Sequence, residues 1–94
     1  MSNNQALCRW YQQQCNDRWE HTYGIKIDTL DDPGWSLKID LAETSLLDRA
    51  FREIKIDRSE QDWIRARRNG DVFEAHGGPN NLDDLIGHFL SWAT

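Results

Sequence analysis

The sequence predicts an α+β fold, a five-stranded antiparallel meander sheet with an N-terminal and a C-terminal helix packed on one face. Three observations point to it. In 19–29 and 34–41 large apolar or aromatic residues alternate with polar ones, the period of a strand with one buried face. Asn69-Gly70 separates two further alternating runs and is a strong short-range hairpin signal. Residues 4–15 and 81–92 instead place apolar side chains three and four apart, as amphipathic helices do.

Taken in order, the first helix spans about 4–15, with Leu7, Trp10, Tyr11 and Cys15 on one stripe and Ser2, Asn3 or Asn4 as its cap. Asn16-Asp17 ends it as a turn. A strand over about 19–29 turns Trp19, His21, Tyr23, Ile25 and Ile27 inward and Glu20, Thr22, Lys26 and Asp28 outward. After Pro33-Gly34, a strand over 34–41 buries Trp35, Leu37, Ile39 and Leu41. Residues 42–50 connect, with a helical turn around Ser45 to Arg49, and a strand over 51–58 buries Ile54 and Ile56.

Strands over 62–68 and 71–76 close the sheet. A type I′ turn at Asn69-Gly70 sets Arg68 opposite Asp71, Arg65 opposite Glu74 and Ile64 opposite Ala75. Ile64, Ala66, Phe73 and Ala75 then face the core, and Trp63, Arg65, Arg67, Glu74 and His76 the other side. Gly77-Gly78-Pro79 breaks the sheet. Asn81 with Asp84 three residues on reads as a capping box for the last helix, over 81–92, whose stripe is Leu82, Leu85, Ile86 and Phe89. The chain has no repeat or internal linker, so residues 1–94 form a single domain.

Composition bounds the function. Hydrophobic residues make up 38% of the chain and include five Trp, enough for a modest core built from large side chains. A net charge of −5 argues against a general nucleic-acid binder, which needs a basic footprint, and suits a basic partner. No apolar run reaches the roughly 20 residues of a membrane span. The first residues carry neither a basic nor an apolar leader region. Cys8 and Cys15 on one helix stand roughly 10.5 Å apart, beyond disulfide reach. Two free thiols without an export signal place the protein in the cytoplasm.

No catalytic or metal constellation emerges. Cys8, Cys15, His21, His76 and His88 lack the paired spacing of a zinc site, and an inward His21 reads as a hydrogen-bonded core residue. Cys15 with His21 lacks any companion oxyanion hole or Gly-rich elbow. No cofactor is expected. Two surface features remain. The turns after the first and third strands emerge at one end, gathering Asp28, Asp31, Asp32, Asp57, Glu60 and Asp62 into an acidic rim diluted by Arg58. Trp63 lies on the uncovered sheet face beside Arg65 and Arg67, residue types enriched at binding hot spots, unless the 42–50 connection or Trp92 covers it. An alternative use of that face is a nucleic-acid-binding module in which Trp63, Arg65, Arg67 and Arg68 stack on bases and hold phosphates.

The motifs Trp10-Tyr11-x-x-Gln14-Cys15, Trp19-Glu20-His21-x-Tyr23-Gly24-Ile25 and Thr29-Leu30-Asp31-x-Pro33-Gly34-Trp35 resemble the immunity protein 53 family. Arg58-Ser59-Glu60-x-Asp62-Trp63, Gly77-Gly78-Pro79-x-Asn81-Leu82 and Phe89-Leu90-x-Trp92 extend the resemblance over residues 7–92. Two departures stand out: Asn16-Asp17-Arg18 replaces a turn that commonly contains glycine, and His76 replaces a small residue. The resemblance implies neutralisation of a cognate polymorphic toxin in the producing bacterial cell, by non-catalytic steric and electrostatic blocking. It carries over no catalytic residue and leaves the toxin's activity open, although a basic nuclease suits the acidic rim. The partner-binding candidates are therefore Asp28, Asp31, Asp32, Asp57, Glu60, Asp62, Trp63 and Arg65. An edge strand offers a route to self-association, and the sequence leaves monomer or homodimer undecided.

Overall fold

The computed structural model describes all residues from Met1 to Thr94. Its elements are α1 (Asn3–Gln14), α2 (Trp19–Thr22), β1 (Ile25–Leu30), β2 (Gly34–Asp40), β3 (Ile54–Ser59), β4 (Asp62–Asn69), β5 (Val72–Gly77) and α3 (Leu82–Ala93). Ser2 caps α1 in a reciprocal box. The Gln5 amide donates to Ser2 Oγ at 3.1 Å, and the Ser2 amide donates to Gln5 Oε1 at 3.0 Å.

The first predicted strand starts late. Residues Trp19–Thr22 form one helical turn, because side chains of the preceding loop close it locally. Asn16 Oδ1 accepts from the Trp19 amide at 2.8 Å, and the Glu20 carboxylate accepts from the amides of Asn16 (2.9 Å) and Asp17 (2.8 Å). Asp17 takes φ +68°, the conformation that glycine adopts without strain. Trp19 is still buried, with its indole N–H donating to the Ala42 carbonyl at 2.9 Å. His21, by contrast, is exposed and not part of the core.

The sheet has five antiparallel strands flanked by terminal helices, as expected, but their order is β1-β2-β5-β4-β3. It is not a continuous meander, because β2 pairs with β5 and the connection 41–53 crosses to the far edge. The connection is too apolar to form a solvated turn. Leu41, Ala42 and Leu46 are buried, and the Phe51 ring packs 5.2 Å from Phe73. Phe51 is thereby drawn out of the third strand, which begins at Ile54. Arg68 fastens the crossing, donating to the carbonyls of Arg49 (2.6 Å), Leu46 (3.3 Å) and Leu47.

The β4–β5 hairpin also differs in register. Arg67 faces Glu74, Ala66 faces Ala75 and Arg65 faces His76. Asn69 pairs with Val72, so the two-residue loop is Gly70-Asp71; within it only Gly70 has positive φ (+62°), the sign pattern of a type II′ turn. Arg68 favours this slip, since its guanidinium reaches back to the Gly70 carbonyl at 2.8 Å. The displacement preserves parity, so the face assignment holds: Ile64, Ala66, Phe73 and Ala75 are all buried. They meet Leu85, Ile86 and Phe89 of α3 in one cluster that also takes Leu7 and Trp10 of α1. Trp10 stands edge-on to Phe89 at 5.0 Å and to Trp19 at 6.1 Å, which ties α1 to both neighbours.

Candidate functional site

Antiparallel pairing brings three junctions to one end of the sheet: the β1–β2 turn, the β3–β4 turn and the β5–α3 junction. The predicted acidic residues lie around this end, but the strand order splits them. Asp31 and Asp32 occupy one flank and Asp57, Glu60 and Asp62 the other, separated by about three strand spacings, roughly 14 Å. Asp31, Asp32 and Glu60 are exposed and make no hydrogen bond or ion pair. Asp28 is also exposed and unpaired, two residues before the turn on the uncovered face, in line with Ser36 and His76.

The other two carboxylates serve the fold. Asp57 accepts from Arg65 Nη2 at 2.7 Å. Asp62 accepts from Arg58 at 2.8 Å and from Asn81 Nδ2 at 3.0 Å. The Asn81 hydrogen bond, then the one from Arg58, hold the Asp62 carboxyl below its ordinary range.

Between the two acidic flanks sits Asn81, which is buried. Its Oδ1 accepts from the amides of Gly78 (3.0 Å) and Trp63 (3.2 Å), and its Nδ2 donates to Asp62 and to Asp84 (3.1 Å). All four hydrogen-bonding positions of the amide are used. Sequence reasoning assigned Asn81 a helix cap, and its side chain makes no cap bond to α3. It pins β4, the Gly78 turn and the start of α3 together. Gly78 packs so closely that a Cβ there would overlap the Gln61 carbonyl, which brings the β3–β4 turn into the same knot.

On the uncovered face Trp63 is half-buried, with the Arg65 guanidinium 5.9 Å from its ring centroid. Neither the 42–50 connection nor Trp92 covers it. The connection is held at the hairpin end of β4 by Arg68, and Trp92 stacks on Phe73 on the helix side. Arg65 is itself engaged, donating to the Ile56 carbonyl at 3.2 Å as well as to Asp57. Arg67 lies 3.5 Å from Glu74, and Arg68 belongs to the opposite face. All three arginines proposed for phosphate binding therefore already have partners on the protein.

Cys8 and His21 line one groove, but no three His, Cys, Asp or Glu side chains are placed to hold a metal ion. Cys15 Sγ donates to the Tyr11 carbonyl at 3.3 Å. A feature without a sequence signal is a groove of about 640 Å³ between α1 and β1, walled by Leu7, Cys8, Tyr11, Tyr23, Ile25 and Ile27. It exists because α2 displaces the first part of the predicted strand and leaves β1 short. No helix is long and apolar enough to cross a membrane. A family model described as Immunity protein 53 matches residues 4–94. No curated protein and no solved structure matches the chain.

Proposed function

The chain belongs to the immunity protein 53 family, and from that premise we propose that it binds a cognate toxin domain and neutralises it by occupying its surface, without catalysis, in the cytoplasm of the producing cell. The observation that carries this reading is the family match over residues 4–94, joined to an end of the molecule whose outermost carboxylates are unpaired. Asp31, Asp32 and Glu60 are the docking charges, with Asp28 extending them onto the uncovered face and Trp63, on the same face but three strands away, as the apolar anchor. Asp57, Asp62 and Arg65 act one step back, holding the strands from which those side chains project. Complementarity of this kind mainly speeds association and selects among partners. A basic toxin, a nuclease among the candidates, fits the charge.

Co-expression tests the proposal. Cells carrying the product of the adjacent toxin gene survive when this chain is present, and the two proteins co-purify. Loss of protection in a folded Asp31→Lys/Asp32→Lys variant supports the acidic end as the docking site. Full toxicity in the presence of the wild-type chain overturns the proposal.

A further inference from the structure

The sheet has two edges, and they are treated differently. At β3 the ladder is broken by a bulge between Asp57 and Ser59, a device that discourages a further strand from pairing. At β1 the register runs without interruption from Ile25 to Leu30. The Asp40 amide donates to the Gly24 carbonyl, and the Leu41 amide to the Asp71 carbonyl. Even-numbered residues of β2 therefore bond to β1 and odd-numbered ones to β5. On β1, residues 24, 26, 28 and 30 bond inward, so Ile25, Ile27 and Thr29 turn their N–H and C=O groups to the free edge. Apart from Met1, the large hydrophobic side chains that remain exposed are Tyr11 (38%) and Ile27 (42%), and both line the groove beside this edge.

We propose that β1 pairs with β1 of a second copy of this chain, antiparallel about Ile27, to give a homodimer with a continuous ten-stranded sheet. The sequence of the edge is self-complementary in that register. Ile27 falls opposite Ile27 of the second copy, and Ile25 falls opposite its Thr29, all at positions whose backbone groups are free. About six main-chain hydrogen bonds form. Lys26 falls opposite Asp28 of the second copy, and Asp28 opposite its Lys26, on the uncovered face. Those are non-hydrogen-bonded pairs, the type in which side chains approach most closely. A slip by two residues to either side forfeits the central Ile27 pair and both charge pairs. On the helix side, Ile27 of the second copy closes the open side of the groove beneath Tyr11. The interface is isologous, as most homodimers are.

Sedimentation over a range of protein concentrations reads the proposal, because it needs no toxin and its result is independent of the immunity function. The wild type is expected to show a concentration-dependent monomer–dimer equilibrium. Ile27→Lys, at an exposed position that the fold tolerates, abolishes it while the circular dichroism spectrum stays unchanged. Asp28→Lys or Lys26→Asp alone creates two like-charge contacts and weakens the dimer by about tenfold or more. The double exchange Lys26→Asp/Asp28→Lys restores it, which no other interface would do. A wild type that remains monomeric at every concentration overturns the proposal, as does a dimer indifferent to Ile27→Lys or not rescued by the double exchange. A chain that is monomeric alone, but whose Ile25, Ile27 and Thr29 amides become protected from hydrogen exchange by added toxin, would assign the edge to the toxin and equally overturn it.

Discussion

Removing the Asn81 amide tests how the acidic end is held together. In Asn81→Ala the amide of Trp63 loses its acceptor, Gly78 keeps only its weaker bond to the Trp63 carbonyl at 3.2 Å, and Asp62 and Asp84 lose donors. The two exposed carboxylate ends recover water, so about half of the four bonds count in full. At about 1 kcal/mol per net hydrogen bond, with an added penalty for the poorly solvated amides, the loss comes to about 2–3 kcal/mol. For a domain of this size that lowers Tm by about 10–20 °C. Urea unfolding followed by tryptophan fluorescence measures it, with an unchanged denaturant slope showing that the unfolded state is the same. Asn81→Asp supplies a second readout. It keeps an acceptor for the amides of Trp63 and Gly78 but sets a third carboxylate, in place of their donor, between Asp62 and Asp84, so it too is less stable than the wild type at pH 7. Crowding raises the new carboxyl's folded pKa, and its deficit shrinks as acidification protonates it. An Asn81→Ala midpoint equivalent to less than about 0.5 kcal/mol of loss, the range of ordinary surface substitutions, would refute this account of the knot.

Other variants test separate parts of the fold. Trp35→Ala removes a half-buried ring that packs on the core and whose indole N–H donates to the Pro79 carbonyl at 2.9 Å, and should lose about 3–4 kcal/mol by urea unfolding. Arg68→Met keeps the apolar stem but leaves the carbonyls of Leu46, Leu47 and Arg49 without their donor. It should cost about 2 kcal/mol and raise hydrogen exchange in the 46–50 segment before it affects β2. The carboxyls of Glu20 and Asp62 are held below their ordinary values of 4.5 and 3.8, the first mainly by backbone amides of its own turn and the second by Asn81 and Arg58. Their contribution is complete above those ordinary values and is lost as pH falls through the lower folded values, so stability declines below about pH 4.5. Glu20→Gln or Asp62→Asn flattens that decline in an acid titration of Tm.

The parts of the fold that were legible in the sequence depended on periodicity. Period-two alternation marked both strands of each hairpin, and parity protected the face assignment of Ile64, Ala66, Phe73 and Ala75 even where the pairing slipped. The strand order was not legible, because nothing local says whether β2 finds β3 or β5. That choice rests on Leu41, Leu46 and Phe51 needing cover, a long-range effect. Trp19-Glu20-His21-Thr22 alternates like a strand yet folds as a helical turn, since Asn16 and Glu20 satisfy the loop's amides locally. The acidic end was foreseen in composition, but not its division of labour. Whether a carboxylate is free, as in Asp31, or engaged, as in Asp62, depends on partners 4 to 19 residues away. Asn81 does stand at the N-cap position of α3, but the bonds of its amide to Trp63 and Asp62 had no signal because those residues are distant in the chain.

Neutralisation by surface contact is tested most directly by the association kinetics of this chain with its cognate toxin. A stable complex is expected, with an association rate that falls at least about fivefold in Asp31→Lys/Asp32→Lys at low salt, a gap that narrows as salt screens the charges, and dissociation little changed. A toxin that never binds the folded wild-type chain, or that is inactivated without forming a complex, would contradict it.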